Sequence, residues 1–124
     1  MIFGIGTDII EVDRIRKELA KNSGLKEKIF TASEISYCES KHDRAQHFAA
    51  RFAAKEAFFK ALGIGWRDGL EFQNIEIRND KLGKPQIIII GKVKEFFETN
   101  KLKSIQLSMG HIKELAIAFV IIEK

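Results

Sequence analysis

The stretch R-A-Q-H-F-A-A-R-F-A-A-K-E-A-F-F-K-A-L, residues 44–62, decides how the rest of the chain must be arranged. Almost every position in it that is not charged is Ala, Phe or Leu, so it is apolar around most of its circumference and reads as a central helix, buried on most sides. Asp43 can cap its start and Gly63 supplies the stop. At 100° per residue, Phe52 and Lys60 fall about 40° to either side of Glu56, with Ala49 about 20° and Phe59 about 60° away. Glu56 is therefore set among aromatic rings and methyl groups with one ammonium beside it. Taken alone, an i,i+4 ion pair between Glu56 and Lys60 is the simpler explanation of that carboxylate.

Before this helix, residues 1–10 read as a strand with Phe3, Ile5, Thr7 and Ile9 on one side and Ile2, Gly4, Gly6 and Asp8 on the other. Asp8 is a second carboxylate in an apolar setting. Its bland reading is a turn or capping group; with Glu56 it makes two hard oxygen ligands that leave room for water and phosphate oxygens, which describes a magnesium site. Glu11 or Asp13 then opens a short helix with Val12, Ile15 and Leu19 on its apolar side and Arg14, Lys17 and Lys21 on a basic one. Thr31 and Glu34 have the spacing of a capping box for a helix running to residue 39.

After the central helix comes a loop over residues 63–69, with Gly65, Trp66, Arg67 and Asp68. Residues 70–78 and 84–90 read as an antiparallel hairpin turned by Asn79, Asp80 and Gly83, with Pro85 near a strand start. A second amphipathic helix is expected over residues 91–102, with Val93, Phe96 and Phe97 inward, and a half-buried strand over 105–109. Residues 115–122 are apolar throughout, as are 87–90, so these strands leave no face for water: helices cover one side and another subunit the other. The class is α+β, mainly antiparallel sheet packed on a long central helix.

A chain of 124 residues with 45% hydrophobic and 31% charged residues, 9 Gly and 1 Pro forms one domain, residues 1–124, and is neither disordered nor low-complexity. Its single cysteine, Cys38, cannot build a disulfide framework or a zinc set, which fits a reducing cytoplasm. The opening residues lack the basic lead of a secretory leader, and no stretch approaches membrane-spanning length. Ser36, Cys38, His42 and His47 lie together in sequence without an orienting group, so nucleophilic catalysis there is rejected.

A net charge of +4 attracts phosphate-rich ligands, acidic proteins or nucleic acid. A basic nucleic-acid-binding module without catalytic activity is the main competing reading. Against it, the ten phenylalanines follow apolar periodicities and do not interleave with the basic residues, so no base-stacking platform is evident. A purely structural oligomer would account for the apolar strands but not for the pairing of Asp8 with Glu56.

Four motifs carry a resemblance: G-I-G-T-D-I-I-E-V-D-R-I at residues 4–15, R-F-A-A-K-E-A-F-F-K-A-L-G at 51–63, F-Q-N-I-E-I at 72–77 and G-K-P at 83–85. In this order they resemble the holo-[acyl-carrier-protein] synthases, the small bacterial 4'-phosphopantetheinyl transferases that serve fatty acid biosynthesis. The resemblance implies transfer of the phosphopantetheine arm of coenzyme A to a serine of apo acyl carrier protein, with release of adenosine 3',5'-bisphosphate, by a homotrimer with active sites between subunits. It implies Asp8 and Glu56 as ligands of Mg²⁺ at the coenzyme A pyrophosphate, and Lys60 beside the same phosphates. The base that takes the serine proton stays open between Glu56, a water held by the metal and a carboxylate of the carrier. Arg51 and Lys84 are implied as partners of the 3'-phosphate, and Ser108 and His111, on the last motif Q-L-S-M-G-H, as nucleotide contacts. Gln106 and Gly110 depart from the family, where His and a hydroxyl residue are common. The basic face of Arg14, Lys17 and Lys21 suits the acidic carrier.

Overall fold

The computed structural model describes residues 1–64 and 69–124; Gly65, Trp66, Arg67 and Asp68 of the expected loop lie outside the described residues. In chain order the elements are β1 (Ile2–Glu11), α1 (Val12–Ala20), α2 (Leu25–Ile29), α3 (Ala32–Glu39), α4 (Arg44–Leu62), a 3-10 turn (Phe72–Asn74), β2 (Ile75–Asn79), β3 (Pro85–Ile89), α5 (Gly91–Thr99), β4 (Ser104–His111) and β5 (Leu115–Glu123). The central helix has the expected bounds and ends on Gly63 at φ 80°, a left-handed conformation that glycine adopts without strain.

Alanine on one side of α4 and glycine on β1 let two backbones come almost into contact. A Cβ on Gly4 would lie 1.8 Å from the carbonyl oxygen of Ala61, and one on Gly6 would lie 1.8 Å from that of Ala57. No larger residue fits at either position. Because side chains alternate along a strand, the residue that follows on the same face is Asp8, which is thereby delivered to the flank of α4. β1 pairs antiparallel with β5, Asp8 opposite Ala118, and β5 pairs with β4, so the sheet runs β1-β5-β4. Its inner face, with Ile10, Ala116, Ala118, Val120 and Ile122, is buried against α4.

The outer face of the same sheet is the side expected to meet another subunit. Within one chain this face of β5 is open to water: Ile117 is 49% and Phe119 43% exposed, and Ile9 of β1, itself exposed, is paired with Ile117. β3 is likewise only half-buried. Helices are present on one side of the three-stranded sheet, and nothing within the described residues covers the other.

The expected strand over residues 70–78 begins later, at Ile75. Two forces hold the preceding residues out of the ladder. The Asn74 side chain accepts from the Glu71 amide at 2.9 Å, closing the 3-10 turn, and the carbonyls of Phe72 and Ile75 accept hydrogen bonds from Lys55 at 3.0 and 2.9 Å. α5 stops at Thr99, short of residue 102, because the Asn100 side chain donates to the Phe96 carbonyl and Lys101 takes φ 56°. Among the described residues no helix is long and apolar enough to cross a membrane.

Candidate active site

Two side chains from α4 and one from β1 meet where Gly4 and Gly6 seat the strand on the helix. Lys60 donates to the Asp8 carboxylate and to the Thr7 carbonyl, each at 3.1 Å. The helical ion pair between Glu56 and Lys60 is therefore not the arrangement adopted; the ammonium crosses to Asp8. Glu56 is left half-buried, and among the described residues it makes no hydrogen bond or ion pair. Burial, and then the charge of Asp8, push its carboxyl above the ordinary value, with Lys60 and Arg14 acting in the opposite sense. Two carboxylates set against one ammonium leave this corner short of positive charge. Hard oxygen donors in that state fit Mg²⁺, which takes one or two carboxylates and completes its shell with water and phosphate oxygens. Among the described residues no group of three or more His, Cys, Asp and Glu is assembled, so a cation here would draw its remaining ligands from water or substrate.

Arg51 lies five residues before Glu56 on the same helix, about 140° around its axis, and so points away from that corner. Its guanidinium is stacked over Tyr37 at 4.1 Å from the ring centroid. Tyr37 and His47 meet edge to face at 5.9 Å, as do His47 and His111 at 5.3 Å. These side chains line a cavity of about 260 Å³ together with Asn79, Gly83 and Gly110. A Cβ on Gly110 would meet nothing within 4 Å, so this departure widens the cavity without any packing requirement. Lys84 lies on the turn beside it and lines a separate groove with Gln86 and Gln106. Ser108 is on the exposed outer face of the sheet, opposite Phe119. The residues expected at the nucleotide are thus distributed: Arg51 and His111 share a cavity, Lys84 adjoins it, and Lys60 and Ser108 are elsewhere on the protomer.

The basic side of α1 is exposed as expected. Lys21 is paired with Glu18 at 2.9 Å and Lys17 with Asp13 at 3.7 Å, whereas Arg14 has no ion-pair partner among the described residues. Arg14 borders a groove of about 280 Å³ lined by Ile15, Leu19, Leu25 and Phe52. Phe52 is one turn before Glu56 on α4, so this apolar groove leads toward the carboxylates.

Sequence reasoning missed a buried polar knot next to Glu56. Lys55 is 0% exposed and donates to the carbonyls of Ile29, Phe72 and Ile75 while pairing with Glu34 at 2.7 Å. Burial lowers its pKa and Glu34 opposes that. Glu34 completes the capping box with Thr31 and also accepts from the Ile77 amide at 2.7 Å. The capping-box spacing pointed to Glu34, but nothing local marked Lys55 as anything other than a helix-surface cation. Tyr37 and His47 were missed as cavity residues for the same reason. Cys38 is fully buried in α3, and burial pushes its thiol up to about 12, which keeps it protonated at neutral pH.

A family model described as the 4'-phosphopantetheinyl transferase superfamily matches residues 4–120. The holo-[acyl-carrier-protein] synthase of Geotalea daltonii is 46% identical over 125 residues, spanning 100% of both chains. Among solved structures, the holo-[acyl-carrier-protein] synthase of Neisseria meningitidis superposes with a TM-score of 0.92 at 37% identity over 100% of both chains. A Bacillus anthracis holo-(acyl-carrier-protein) synthase, solved in complex with CoA (3',5'-ADP), gives 0.81 at 39% identity, covering 99% of this chain and 97% of that one.

Proposed function

The chain belongs to the 4'-phosphopantetheinyl transferase superfamily and is an enzyme of the holo-[acyl-carrier-protein] synthase class, and from that premise we propose that it moves the 4'-phosphopantetheine group of coenzyme A to a serine of apo acyl carrier protein with Mg²⁺ as cofactor. The observation that carries this reading is the corner where Lys60 pairs with Asp8 beside the half-buried Glu56, one helical turn from the Phe52 that lines an apolar groove. The serine oxygen forms a bond to the phosphorus of the pantetheine phosphate, the bond from that phosphorus to the bridging pyrophosphate oxygen breaks, and adenosine 3',5'-bisphosphate leaves; the serine proton is lost to a base. Asp8 and Glu56 would hold the cation, which supplies charge stabilisation on the pyrophosphate oxygens when bound. Lys60 places an ammonium against the same oxygens, and in phosphoryl transfer such positioned charge is the greater part of catalysis.

Arg51 and His111, with Lys84 adjoining, form the nucleotide end of the site. Since Arg51 faces away from Glu56 on one helix, we read each active site as completed by two copies of the chain: the carboxylate corner of one and the Arg51 cavity of the next. A homotrimer closed through the outer sheet faces, where Ile9 is 61% exposed beside Ile117 and Phe119, accommodates this with closed rotational symmetry. The carrier docks on α1, with Arg14 as its principal charged contact and the adjoining apolar groove beneath; an acidic carrier helix is the complementary partner. We place the enzyme in the cytoplasm, in the supply of carrier proteins for fatty acid biosynthesis.

Mass spectrometry of an apo carrier protein incubated with coenzyme A, Mg²⁺ and this chain tests the reading. Gain of one phosphopantetheine on the carrier, dependent on all three, is expected; an unmodified carrier under saturating substrates overturns it.

A further inference from the structure

The Arg51 cavity contains an unsatisfied buried donor and a second histidine that the reaction as described does not use. Arg51 is 2% exposed, and its Nε–H has no hydrogen-bond partner among the described residues. Such a group is costly unless an acceptor reaches it. His47 stands one helical turn before Arg51 on α4, lines the same cavity and touches the ring of His111 from β4. No carboxylate is found among the described residues lining this cavity; its chemistry is that of donors and cations, which selects an anion small enough to sit between them.

We propose that His47 contacts the phosphate monoester of the nucleotide in this cavity, and that its imidazole takes up a proton as that phosphate enters. The inference rests on the reading above that the cavity receives the nucleotide end of coenzyme A. The groups facing His47 are Tyr37 from α3, His111 from β4, Arg51 on its own helix, and Lys41 and Asp43 from the connection between α3 and α4. Half-burial holds the His47 imidazole below its ordinary value, the charges of His111, Arg51 and Lys41 act in the same direction, and only Asp43 opposes them. A phosphate dianion reverses that field and favours the imidazolium. Bound and free protein then differ in proton occupancy. Between the depressed free-state pKa and the higher bound-state one, binding consumes a proton and affinity falls as pH rises; below that window the ring is already charged, above it the ring is neutral in both states, and affinity levels off.

Isothermal titration of coenzyme A and of 3'-dephospho-coenzyme A into the intact protein, from about pH 6 to about pH 8.5 and in two buffers of different ionisation heat, reads both affinity and proton uptake. For the unaltered protein, coenzyme A affinity is expected to fall by about tenfold per pH unit at its steepest, with about one proton taken up. His47→Phe keeps the ring contacts and His47→Gln keeps a polar side chain should the former unfold; each is expected to lose most of the slope and the uptake, and dephospho-coenzyme A should show little of either with the unaltered protein. An unchanged slope in His47→Gln, or an equal slope with dephospho-coenzyme A, overturns the inference. If coenzyme A still binds and the carrier is still modified in that event, only this inference fails; if coenzyme A binds at no pH, the functional reading fails with it.

Discussion

Glu56 carries its charge at a cost. Its carboxyl titrates above the ordinary range because it is half-buried and close to Asp8. An acid with a folded-state pKa above its unfolded one destabilises the fold at neutral pH, and the penalty fades as pH falls and the group protonates. Glu56→Gln should therefore melt no lower than the unaltered chain at pH 7 without Mg²⁺, while transfer falls at least about a hundredfold, the several kcal/mol that a positioned cation supplies. Asp8→Ala should lose transfer equally, and a chelator should mimic both reversibly; carrier modification followed by mass, alongside thermal melts, checks all three. Glu76 titrates in the opposite direction. Burial would raise it, but the Thr31 hydroxyl at 2.6 Å and the Arg78 guanidinium hold it below the usual carboxylate range. Stability from this depressed acid is present above its unfolded pKa and lost as pH falls through the folded one. Glu76→Gln should thus cost about 1 kcal/mol at neutral pH, a difference that fades as pH falls through the depressed folded-state pKa, as urea unfolding from neutral to acid pH would show.

β1 and α4 behave as one unit because glycine permits their backbones to touch. Gly6→Ala drives a methyl group into the Ala57 carbonyl, which no rotamer can relieve. Strand and helix must separate, and a loss of about 3 kcal/mol or more in urea unfolding is expected, at or above the usual range for overpacking. Transfer should suffer as well, since Asp8 moves with the strand. At α1, Arg14→Glu removes the cation left without an ion pair on that face and puts repulsion in its place. The expected result is a Michaelis constant for the carrier raised about tenfold or more and one for coenzyme A almost unchanged. Steady-state kinetics with each substrate varied in turn decides this; a change confined to coenzyme A would assign Arg14 to the nucleotide.

At the scale of the whole molecule, one protomer holds the two halves of the proposed site on different sides of a single helix. Asp8→Ala and Arg51→Gln, each inactive alone, should regain activity when unfolded and reassembled together. Random mixing brings an intact Asp8 corner against an intact Arg51 cavity in about a quarter of the junctions, so about a quarter of the unaltered rate is expected. Persistent inactivity of the folded mixture would place the whole site within one chain. Sedimentation at micromolar concentration should correspondingly give a trimer, converted to monomer by Phe119→Glu.

Periodicity and spacing sufficed for the bounds of α4, the capping box at Thr31 and Glu34, the glycine stop at Gly63, and the face of β1 that carries Gly4, Gly6 and Asp8. These follow from local chemistry: which residues can line a helix, cap one, or alternate along a strand. The pairing of Asp8 with Glu56 as site candidates was legible because a carboxylate in an apolar pattern is conspicuous. Other features depended on partners distant in the chain. Lys55 looks like any helix lysine until the carbonyls of Ile29, Phe72 and Ile75 converge on it, and the same contacts delay the start of β2. Lys60 chose Asp8 over Glu56 because β1 lies against the helix, which the spacing within α4 cannot express. His47 became a cavity residue only when β4 brought His111 to it. Local pattern determined the elements and which faces they bury; tertiary packing decided which charges meet, because hydrogen bonds and ion pairs act over a few ångströms between groups that the sequence keeps far apart.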